Sequence, residues 1–124
     1  MWIHCNPNPL GKQVEDCVVR AIAIATNKTW YEVYDSLCKF GRTECNMPSS
    51  NTVWGKYLYR SGFEPFMLPK ACPECITVEA FCRYFPDGVY IIGTGSHAVA
   101  VIDGDYYDSW DSGYETPSYF WRVK

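Results

Sequence analysis

The chain has no excess of positive charge, no long apolar run and almost no histidine. Its 124 residues carry 11 Lys or Arg against 14 Asp or Glu, a formal net charge of −3. Lys and Arg do not cluster anywhere, so the electrostatic footprint that nucleic acid or an acidic membrane surface demands is missing. Neither is expected as a partner. No stretch approaches the ~20 consecutive apolar residues of a membrane-spanning helix. The start, Met1-Trp2-Ile3-His4, lacks the basic and apolar segments of an export signal, from which a cytoplasmic location is expected. There are two histidines, His4 and His97, and one glutamine, Gln13. Repeats, low-complexity tracts and linkers are absent, and the length suits one domain over residues 1–124.

What is present argues for a packed globule. Apolar residues make up 48% and aromatics 17%, too much buried-type surface for a disordered chain. Seven cysteines are an odd number, and without an export signal they are expected to be reduced: packed, metal-bound or catalytic. Asp16 suits an N-cap, placing Cys17 at the first position of a mostly apolar helix ended by Asn27-Lys28. Thr29 caps a second helix, Trp30 to Phe40, closed by Gly41, and residues 42–50 read as a loop. A third helix spans Thr52 to Arg60 with Gly62 beyond it, and Thr77 caps a short fourth helix through Phe85. Strands are predicted at Phe63 to Leu68, Val89 to Ile92 and Tyr119 to Val123, around a hairpin that starts near His97. The lead-in over the first dozen residues, rich in Asn and Pro, carries no periodicity. Helices precede a β-meander, which is an α+β layout.

The hairpin is the most informative stretch. The apolar run Ala98-Val99-Ala100-Val101-Ile102 meets Asp103-Gly104, the dipeptide that supplies the positive φ angles of a two-residue turn, and an aromatic strand follows. Ile102 then pairs with Asp105, Val99 with Asp108 and His97 with Trp110. In that register His97 and Asp108 are diagonal neighbours on one face, their backbones ~7–8 Å apart. Asp111 falls on the other face. An imidazole and a carboxylate that meet across paired strands want a nucleophile. Cys17 is the candidate, because a helix amino end favours thiolate and its unpaired N–H groups can receive an oxyanion.

Asp16-Cys17-Val18-Val19-Arg20-Ala21-Ile22, Gly88-Val89-Tyr90-Ile91-Ile92, His97-Ala98-Val99-Ala100-Val101 and Tyr107-Asp108-Ser109, in that order, resemble a papain-like cysteine peptidase. The style is closest to the small peptidase domains that process double-glycine leader peptides in bacteriocin exporters. Similar domains occur in proteins of phages and bacterial mobile elements. The resemblance implies a nucleophile helix packed on a C-terminal antiparallel sheet. It makes Cys17 the nucleophile, His97 the base that later protonates the leaving amine, and Asp108 the residue that orients the imidazole. It also implies an oxyanion-hole glutamine. Gln13 is the candidate, four residues before Cys17 and closer than usual, with Asn6 and Asn8 as alternatives. The glycine that commonly follows the nucleophile is replaced by Val18.

The expected activity is cleavage of peptide or isopeptide amide bonds through a thioester, with no cofactor and a peptide or protein as substrate. Acyl transfer or deamidation would use the same triad, and a catalytically silent domain that binds a partner protein is the alternative of a different class. Trp110 is expected to wall the site beside His97 and contact substrate. Cys72-Pro73-Glu74-Cys75 has zinc-knuckle or redox spacing, but a structural zinc site needs four ligands and no second such pair exists, so no metal is assigned.

Overall fold

The computed structural model describes residues 1–69, 71 and 73–124, and in it the chain is α+β, with four helices and six strands. The elements run β1 (Trp2–His4), α1 (Cys17–Thr26), α2 (Trp30–Glu44), α3 (Asn51–Arg60), β2 (Glu64–Met67), α4 (Val78–Tyr84), β3 (Val89–Gly93), β4 (Ala98–Ile102), β5 (Asp105–Asp108) and β6 (Tyr119–Arg122). The strands form one sheet in the order β1-β5-β4-β3-β6-β2. Helices α1, α2 and α3 share one core cluster with Ile91, Ala98, Ala100 and Trp121. Helix α4 shares the other with Tyr90, Ile92, Val99, Val101, Tyr106 and Phe120. Alternate residues of each strand therefore feed opposite layers, as a sheet covered on both faces requires.

Local chemistry explains the boundaries. α1 begins at Cys17 and ends where Asn27 takes the left-handed conformation, φ 55°. α2 opens on a reciprocal capping box: Glu32 N–H donates to Thr29 Oγ1 at 3.1 Å and Thr29 N–H to Glu32 Oε1 at 3.0 Å. The Asp103-Gly104 turn has φ 48° and 83° and sets Ile102 opposite Asp105, Val101 opposite Tyr106 and Ala100 opposite Tyr107.

Two expectations need correcting. Gly41 does not close α2, which continues to Glu44. A Cβ on Gly41 would lie 2.7 Å from the Asn46 carbonyl oxygen, so this glycine admits the returning chain against the helix rather than ending it. The sheet is mixed rather than antiparallel, because the lead-in contributes β1, paired parallel to β5 with Trp2 beside Tyr106 and His4 beside Asp108. A three-residue strand is too short for periodicity to reveal, and its partner lies a hundred residues away.

No helix among the described residues is long and apolar enough to cross a membrane. Cys5, Cys17, Cys38, Cys45 and Cys82 are free, whereas Cys75 is disulfide-bonded, which departs from the all-reduced chain expected without an export signal. Cys72 lies outside the described residues.

Candidate active site

Three elements supply the site. Cys17 is the first residue of α1, His97 directly precedes β4, and Asp108 is the last residue of β5. His97 and Asp108 thus lie at the open end of the hairpin, away from its turn. The turn into β4 is pinned by the Thr94 N–H, which donates to the His97 carbonyl at 2.9 Å. β1 holds the backbone at Asp108: its carbonyl accepts from the Cys5 N–H at 2.9 Å and from Trp2 Nε1 at 3.2 Å.

His97 Nε2 and Asp108 Oδ2 are 2.6 Å apart, as the diagonal register predicts. Nδ1, the ring's other nitrogen, takes no part in that bond, and His97 shares the wall of one cleft with Cys17. Asp108 is 2% exposed, and both its oxygens are occupied. The Ser112 hydroxyl donates to Oδ2 at 2.6 Å, the Ser109 N–H to Oδ1 at 2.8 Å and Arg20 Nη2 to Oδ1 at 3.3 Å. Arg20 Nη1 also pairs with Asp16 Oδ1. The second Asp16 oxygen accepts from Trp30 Nε1 at 2.9 Å and Asn8 Nδ2 at 3.1 Å. Asp16 is therefore matched by a cation and two donors instead of standing as an unscreened charge beside the sulfur.

These contacts favour a thiolate and an imidazolium. Burial pushes the Cys17 thiol up, but the His97 hydrogen bond, the Ala98 backbone N–H and the charges of His97 and Arg20 outweigh it, and the thiol is held below its ordinary value. Burial favours neutral His97, yet hydrogen bonds to Asp108 and Cys17 and their negative charges lift it to about 9. Burial also opposes charge on Asp108. Hydrogen bonds from His97 and Ser112, the His97 charge and the Ser109 N–H prevail and hold its carboxyl below the usual range.

The thiol opens into a cleft of about 780 Å³ whose walls include Trp30, Trp54, Tyr119, Ser96, His97 and Trp110. Trp110, 37% exposed, lies with its ring centroid 4.7 Å from that of His97. Its predicted place beside His97 is the place it occupies. Burial and the Cys17 charge push the Tyr119 phenol up to about 12.

Gln13 is not brought to the thiol. It is exposed and lines no part of the cleft, because the loop ahead of α1 is folded back on Asn8. Asn8 Oδ1 accepts from the Leu10 N–H at 3.0 Å and the Lys12 N–H at 3.3 Å. Asn8 is committed to that turn and to Asp16, and Asn6 Nδ2 donates to the Lys12 carbonyl at 3.2 Å. The available oxyanion donors lie in α1 itself. Asp16 makes no side-chain cap, and Arg20 is the first residue of the helix whose N–H reaches a carbonyl, that of Asp16 at 2.9 Å. The N–H groups of Cys17, Val18 and Val19 have no hydrogen-bond acceptor among the described residues, and all three residues line the cleft.

Sequence reasoning missed Arg20 and Ser112. Arg20 had a signal, since a lone cation four residues after Asp16 in an apolar helix implies an i,i+4 pair. Ser112 had none. No group of three or more His, Cys, Asp or Glu side chains able to hold a metal ion occurs among the described residues. No family model, curated protein or solved structure matches the chain.

Proposed function

We propose that the chain is a papain-like cysteine peptidase that cleaves peptide or isopeptide amide bonds. The observation that carries this reading is the 2.6 Å His97–Asp108 pair with Cys17 and His97 on the wall of one cleft, the thiol held low and the imidazole raised by one another. The Cys17 thiolate attacks the amide carbonyl carbon and forms a C–S bond. The carbonyl oxygen takes the negative charge and is received by the free N–H groups at the start of α1. His97 gives its Nδ1 proton to the leaving nitrogen, the C–N bond breaks and a thioester remains. The now neutral imidazole takes a proton from water, whose oxygen attacks the thioester. The thiolate then departs and the acid is released. Asp108 holds the ring by Nε2 and stabilises its charged form throughout. Trp110 contacts the bound chain beside His97. The protein acts in the cytoplasm on a peptide or protein and needs no cofactor.

Iodoacetamide labelling at pH 6, read by mass spectrometry, tests the reading. One adduct per molecule at Cys17, ahead of the other free thiols and lost in His97→Ala, is the expected result. His97→Ala should also lower cleavage of a peptide library about 10²–10⁴-fold. Slow labelling of Cys17 at the rate of the other thiols would overturn the hydrolase and leave a domain that binds a partner protein.

A further inference from the structure

One buried charge neither attacks, carries a proton nor leaves in the chemistry above. Arg20 is 5% exposed, in the first turn of the helix that carries the nucleophile. Burying a guanidinium is costly unless it is paired and its donors are satisfied. Its partners are residues of particular position. Nη1 bonds the carboxylate of Asp16, the residue directly before Cys17, and Nη2 bonds the Asp108 carboxylate at 3.3 Å on the oxygen opposite the one that holds His97. The guanidinium thus closes a ring of contacts through Asp16, Cys17, His97 and Asp108.

We propose that Arg20 is a positioning residue: its planar fork ties the amino end of the nucleophile's helix to the carboxylate that orients the base, and so sets the alignment of Cys17 with His97. This inference rests on the hydrolase reading of the site. The contacts that span α1 and β5 at this end are polar and buried, and a rigid fork with two fixed directions fits two carboxylates at once. A lysine supplies the charge but only one such reach. The charged groups facing Cys17 are Asp16, Glu15 and Arg20 around its own helix start, His97 and Asp108 from the hairpin, and Tyr119 from β6. Arg20 is the only permanent cation among them. Without it, two buried carboxylates remain with His97 alone to offset them, and negative charge on the sulfur is opposed.

The rate of Cys17 alkylation by iodoacetamide, measured against pH alongside the melting temperature, tests this in Arg20→Lys, Arg20→Met and the double variant Asp16→Asn/Arg20→Met. The labelling inflection of Arg20→Met is expected to rise by about one pH unit, which makes labelling at pH 6 roughly tenfold slower. Arg20→Lys should fall between it and the parent. The double variant should regain the melting temperature, since Asp16 is no longer an unpaired buried charge, while labelling stays slow because Asp108 is still untied. A folded Arg20→Met or double variant whose profile superposes on the parent's overturns the proposal. Should neither fold, Arg20→Lys decides it by the same criterion. Failure of the hydrolase reading is distinct: there the parent itself shows no selective, His97-dependent labelling.

Discussion

The two faces of β4 are built from different materials. On the face toward α1, β4 presents Ala98 and Ala100, which share a core with Ala21, Ile22, Ala23 and Ala25 of the helix. On the other face the same strand presents Val99 and Val101 to Phe81, Tyr90 and Phe120, and those rings touch with centroids 5.0–5.8 Å apart. Small side chains let a helix lie close to a sheet, and aromatic ones bury the most apolar area per residue. One face secures nearness between a thiol and an imidazole, while the other supplies bulk.

The largest effect that sharpens this contrast is on the aromatic side. Phe81 is fully buried, and Phe81→Ala should cost about 3–5 kcal/mol in denaturant unfolding. The folded fraction should nonetheless label at Cys17 as fast as the parent. Ala100→Leu should cost less, about 1–3 kcal/mol for overpacking, yet slow Cys17 labelling tenfold or more as α1 is displaced. Equal labelling defects in the two variants would break the division between the faces. Ser112→Ala removes the buried 2.6 Å donor to Asp108 Oδ2 and should cost about 1–3 kcal/mol. Its depressing influence on the Asp108 carboxyl goes with it, so the acid end of the stability profile should move to higher pH.

The smallest effect concerns pH and carries a sign. His97 is lifted from 6.5 to about 9, so its contribution to stability is full below 6.5 and lost as pH rises through 9. Cys17 is depressed below 9.0, so its contribution is present above 9.0 and lost as pH falls through its folded value. From the folded Cys17 value up to 9 the two slopes oppose each other, the thiol adding stability as pH rises while the His97 contribution falls. Between 6.5 and 9 the parent's melting temperature should therefore decline less steeply with pH than that of Cys17→Ala. An equally steep decline in the parent would mean that the Cys17 thiol is not held below its ordinary value. Amide cleavage should fall above about pH 9, where His97 no longer carries the proton for the leaving amine.

Much of this was legible in the sequence, because local rules and tertiary needs agree there. Cys17 and Asn27 mark the bounds of α1, although the Asp16 carboxylate bonds Arg20, Asn8 and Trp30 and forms no cap, and Asp103-Gly104 fixes a register that carries His97 to Asp108. Where the two diverge, sequence reasoning erred. Gly41 has the composition of a stop signal but serves close packing. Gln13 is the right residue type near the right place, yet the hydrogen bonds of Asn8 take its loop elsewhere. β1 exists only because β5 offers it an edge.

The reacting groups come from opposite ends of the chain, residue 17 and residues 97 to 108, and β1 finds its partner only in β5. During synthesis the thiol leaves the ribosome long before the imidazole does. For most of translation Cys17 is an ordinary cysteine on a helix that has α2 and α3, but not the sheet, to lie against. The thiol and the imidazole are therefore brought together only when the β4–β5 hairpin has been made.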